Sequence, residues 1–128
     1  MIDVEVANRS GIEVDAEGAV ALARHALAQE GVDDAELGIA FVAPGEIRAL
    51  KAEHLGIDEA TDVLSFPIDG LDELPAGVPR ALGDVVICPQ VVGDEWRWPL
   101  VHGILHLLGF DHGEAMDRRE RDILGAAG

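Results

Sequence analysis

The chain has one cysteine in 128 residues, Cys88. A lone thiol excludes an internal disulfide, and inside the apolar run "VVICP" it reads as a small buried hydrophobe rather than a nucleophile or ligand. Cations are also scarce. Nine Lys plus Arg, among which Lys51 is the single lysine, stand against 25 Asp plus Glu, a formal net charge of -16. A field of that sign repels nucleic acid at long range unless the basic residues gather on one face. A solvated acidic shell is its plain reading. Long apolar runs are missing as well: no stretch approaches the roughly 18 residues needed to cross a bilayer, so a soluble protein with no membrane partner is expected. The opening "MIDVEVANRSG" alternates apolar and acidic residues where an export signal has a basic and then an apolar block, so the expected location is the cytoplasm. No internal repeat or low-complexity segment is visible.

What is present is enough apolar side chain, 48% of residues, for one core. The length suits a single domain over residues 1–128. Ile2 to Val6 alternates as a strand with one buried face. Asp15 opens a helix over residues 16–30, with Val20, Ala23 and Leu27 on one stripe, His25 on its surface and Gly31 at its C-terminal cap. Glu36 to Val42 reads as a second strand and Pro44 to Gly56 as a second helix, Ile47 and Leu50 facing inward. Thr61 to Pro67 and Leu82 to Pro89 read as two further strands, each closed by proline and joined by a loop rich in Gly, Pro and Asp. Behind Pro99, Leu100 to Leu108 is apolar almost without a break, which fits only a core helix. The last segment puts Met116, Glu120, Ile123 and Leu124 in helical spacing. The expected fold is α+β: a single domain whose four-stranded mixed sheet packs with about four helices, with a three-histidine metal site on the core helix and the turn after it.

That site is read from "VHGILHLLGFDH", Val101 to His112, which holds three of the five histidines. His102 and His106 lie one helical turn apart, so both imidazoles project from one face. Gly109 breaks the helix, which lets the chain reverse and bring His112 to the same point. Three nitrogen donors with a fourth position open is the catalytic form of a zinc site. Two histidines in an otherwise apolar helix are also costly to bury without a strong partner, and an ion supplies one. The His-x3-His-x5-His spacing is that of the metzincin proteases, but those carry a glutamate base directly after the first histidine, and here that residue is Gly103.

Three blocks, "TDVLSFP" at Thr61 to Pro67, "LGDVVIC" at Leu82 to Cys88 and "HGILHLLGFDH" at His102 to His112, make the chain resemble the YbeY endoribonucleases, bacterial ribosomal-RNA maturation factors. The resemblance implies a single-strand-specific, metal-dependent endoribonuclease acting in 16S rRNA 3′-end maturation and ribosome quality control. It implies one zinc ion per chain on His102, His106 and His112. The partners it implies are single-stranded RNA and the small ribosomal subunit or its proteins, with no DNA. Members of the family commonly carry an arginine shortly before the Thr-Asp-Val block, where this chain has Leu55; Arg48 and Lys51, about one turn away, are candidates to replace it. Arg118, Arg119 and Arg121 form the other possible cationic groove. The link "PQVVGDEWRW" is shorter than usual in the family; Trp96 and Trp98 in it could stack on bases, with core packing the plainer role for at least one of them. No general base stands out. Asp111, Ser65 and Arg48 are the catalytic candidates, although Asp111 equally suits orienting a histidine, and Ser65, like Thr61, suits a strand hydroxyl satisfied by backbone. A zinc peptidase and a non-catalytic, metal-stabilised ribosome-assembly factor are the alternatives.

Overall fold

The computed structural model of the chain describes residues 2–55, 63–70, 72–110 and 113–127. Four strands, β1 (Ile2–Arg9), β2 (Ala35–Val42), β3 (Val63–Pro67) and β4 (Ala81–Ile87), form one sheet in the order β1-β2-β4-β3. β1, β2 and β4 run parallel, and β3 is antiparallel to β4 at the edge, which makes the sheet mixed as expected. Among the described residues the helices are α1 (Ala16–Gln29), α2 (Pro44–Leu55), the four-residue α3 (Pro89–Val92), α4 (Arg97–Leu107) and α5 (Glu114–Ala127), with a 3₁₀ turn at Gly93–Glu95.

The two faces of the sheet are unequal. Leu37, Ile39 and Phe41 of β2 and Val85 and Ile87 of β4 point to the face covered by α1 and α4, with α5 behind them, and form the main core. The alternate residues Val42, Leu64, Val86 and Cys88 meet Ile47 of α2 on the other face. Cys88 is fully buried there, as the sequence suggests. Leu100, Val101, Ile104 and Leu105 of α4 are completely covered. A helix apolar around most of its circumference lies in the middle of a domain, and each such side chain contributes about 1.5–3 kcal/mol of transfer free energy.

Local signals explain most of the element ends. The Asp15 carboxylate accepts from Gly18 N at 2.9 Å and caps α1. The stripe that α1 buries is Ala19, Leu22, Ala23, Ala26 and Leu27, rotated from the expected one, so Val20 is only half-buried. Small alanines there let the helix approach the sheet closely. His25, expected on the surface, is half-buried, and its Nε2 is sealed from solvent. Pro89 does not close β4 but starts α3, where its fixed φ and missing N–H suit a first helical position.

Candidate metal centre

α4 ends in a Schellman turn that shapes the site. Phe110 N donates to Leu105 O and Gly109 N to His106 O, with Gly109 at φ +96°, a conformation a side chain would strain. The reversal carries the Phe110 carbonyl back to His106 Nδ1, 3.0 Å away. A carbonyl can only accept, so His106 carries a proton on Nδ1, which in the neutral ring leaves the lone pair on Nε2.

His102 reaches the same tautomer by another route. Its Nδ1 lies 2.5 Å from Oε1 of Glu120, a carboxylate on α5 only 5% exposed. The other Glu120 oxygen accepts from Trp98 Nε1 at 2.9 Å, and the Trp98 ring stacks on His102 with centroids 5.0 Å apart. A carboxylate behind a histidine ring fixes its orientation and raises its basicity as a metal ligand. The sequence placed Glu120 on the buried stripe of the last helix without a role; an acidic residue on an apolar stripe was the only signal of one.

The two Nε2 atoms are then 3.2 Å apart, each presenting a lone pair toward the other. Two ring nitrogens meet at that separation when a proton or a metal cation lies between them. Two imidazole nitrogens bound tetrahedrally at about 2.0–2.1 Å would be separated by about 3.3 Å, so the pair fits a zinc-like ion without rearrangement. Among the described residues no group of three or more His, Cys, Asp or Glu side chains forms a metal cluster. The third expected donor, His112, and the neighbouring Asp111 lie outside the described residues, as does Thr61.

Gly103 has a steric reason. A Cβ there would stand 2.7 Å from Val85 Cγ1 and 3.1 Å from Ser65 Oγ, so α4 meets the sheet at a point with no room for a glutamate. Ser65 donates its hydroxyl to the Gly103 carbonyl at 3.1 Å, which ties β3 to α4. Arg48 is exposed on α2, the helix packed against the sheet face opposite α4, so the described structure does not bring it together with the histidines. Trp96 packs against the main core under Arg97, while Trp98 stays 44% exposed.

Comparison with known proteins gives the family. The family model for Endoribonuclease YbeY matches residues 5–126. The Endoribonuclease YbeY of Salinispora tropica is 38% identical over 98% of this chain and 92% of its own length, and that of Beutenbergia cavernae is 42% identical over 93% and 89%. A Thermotoga maritima protein solved in solution superposes with a TM-score of 0.60 over 99% of this chain and 89% of its own, at 22% identity, which speaks for the fold alone. With its matched residues running almost from end to end, the chain belongs to the endoribonuclease YbeY family.

Proposed function

We propose that the protein is a zinc-dependent endoribonuclease that hydrolyses phosphodiester bonds in single-stranded RNA, acting on the 3′ end of 16S rRNA and in ribosome quality control in the cytoplasm. The observation that carries the reading is the pair of Nε2 lone pairs on His102 and His106, locked toward one point by Glu120 and the Phe110 carbonyl. His112 is the third donor by sequence. When bound, zinc supplies Lewis acidity toward a phosphoryl oxygen and a nucleophile at neutral pH. The chain's own contribution is to hold Nδ1 of each imidazole so that both Nε2 atoms face one point, to prevent their rotation, and to shield His102 beneath Trp98. Peptidase chemistry of the metzincin kind has no place for its base, because Gly103 is pressed against Val85.

The test is a substrate panel: single-stranded RNA containing a 16S 3′ end, the same RNA annealed into duplex, and casein. Cleavage of the single strand alone, stopped by a chelator and restored by zinc, is the expected result. Chelator-sensitive cleavage of casein that copurifies with the protein would replace the nuclease reading with a protease one.

A further inference from the structure

Val91 and Trp98, both large, apolar and exposed, line one cavity of about 380 Å³ together with Val92, Glu95 and Pro99. That volume is at the small end of small-molecule sites. Trp98 is not loose at the surface. Its Nε1 is held by Glu120, and one ring face lies on His102, tilted by 29°. An aromatic ring anchored by its polar edge beside a candidate catalytic centre, yet 44% exposed, has the form of a platform rather than of core filling.

We propose that Trp98 is a base-stacking subsite, which takes an unpaired nucleobase of the RNA next to the bond being cut, with Val91 and Pro99 flanking the base. The proposal rests on the ribonuclease reading and adds to it the place of one substrate base. Three observations favour a base over other occupants. A flat ring continues the His102–Trp98 stack, which leads directly to the candidate metal ligands. A chain with a net charge of -16 gains little from phosphate contacts, whereas stacking on an indole is indifferent to charge and every base has a π-face. Bases within a duplex are already stacked and paired, so such a platform selects single strands.

Binding of a single strand whose leaving oxygens are replaced by CH2, so that hydrolysis cannot release a fragment, to the zinc-loaded protein tests this, with an abasic position moved along the strand one nucleotide at a time. Stacking is worth about 5- to 150-fold in affinity per base. One abasic position should therefore weaken binding to the parent by that factor and leave binding to Trp98→Ala unchanged. Trp98→Phe keeps an aromatic face, smaller than the indole and without the Nε1 donor, so it should retain a reduced position-dependent loss. A flat abasic scan in a parent protein that cuts RNA would overturn the subsite alone. A parent that neither binds nor cuts single-stranded RNA would overturn the nuclease reading itself.

Discussion

Glu120→Gln separates shape from charge at the centre. The carboxylate accepts two hydrogen bonds, from His102 Nδ1 and Trp98 Nε1, and the isosteric amide has only one acceptor. If the amide oxygen keeps Trp98, the NH2 faces His102 and drives its proton to Nε2, removing the lone pair that a metal needs. If the oxygen keeps His102, a buried N–H of Trp98 faces an N–H of the amide at a cost of about 1–3 kcal/mol. The first arrangement leaves no donor unpaired and should prevail. The fold should then lose less than about 1 kcal/mol, while zinc affinity falls about 10- to 100-fold, as it does when a carboxylate behind a ligating histidine is removed. Chelator-competition titration reads the affinity, urea unfolding reads the stability, and imidazole ¹⁵N spectra of the zinc-free protein report the His102 tautomer. Parent-like zinc affinity in Glu120→Gln, with the His102 proton still on Nδ1, would refute the role assigned to Glu120.

Ser65→Ala removes the hydrogen bond to the Gly103 carbonyl and should cost about 0.5–1.5 kcal/mol in urea unfolding with turnover nearly unchanged; a hundredfold loss of turnover in a folded variant would make the hydroxyl a participant. Gly103→Ala forces a Cβ into Val85 and should destabilise by about 1–3 kcal/mol, since the contact is with a packed β-branched side chain on a central strand. A neutral result there would mean that α4 lies farther from the sheet. The Arg48→Ala, Lys51→Ala double variant should keep the parent's salt dependence of RNA binding, because α2 lies on the opposite face of the sheet from α4; a slope reduced by about one counterion per lost contact would mean that RNA reaches round the sheet edge.

The parts of the fold legible in the sequence are those set by neighbouring residues. Period-2 alternation marks β1, a nearly unbroken apolar run marks α4, and the glycine after that run marks a helix end and reversal, which the chain makes as a Schellman turn. Features decided by distant partners were hidden. β1 extends to Arg9 because β2 pairs with it along its whole length, well past the end of the alternation. The buried face of α1 follows its alanines instead of Val20, because it is chosen by the helices and strands it meets. The same holds at the site. His102 and His106 could be paired from spacing alone, but their tautomers depend on a carboxylate 18 residues away from His102 and on a carbonyl whose position only the turn geometry supplies. Gly103 was visible as the loss of a base, and only the approach of α4 to β4 explains why no side chain fits.

The most direct measurement is cleavage of a single-stranded 16S 3′-end RNA by the parent and by His106→Ala, each stripped of metal and then titrated with zinc while bound metal is counted. The parent should recover cleavage in step with about one zinc per chain, and His106→Ala should take up no tight zinc and cut nothing. Full cleavage by the metal-free parent, or parent-like zinc and turnover in His106→Ala, would contradict a histidine-held metal centre as the source of the activity.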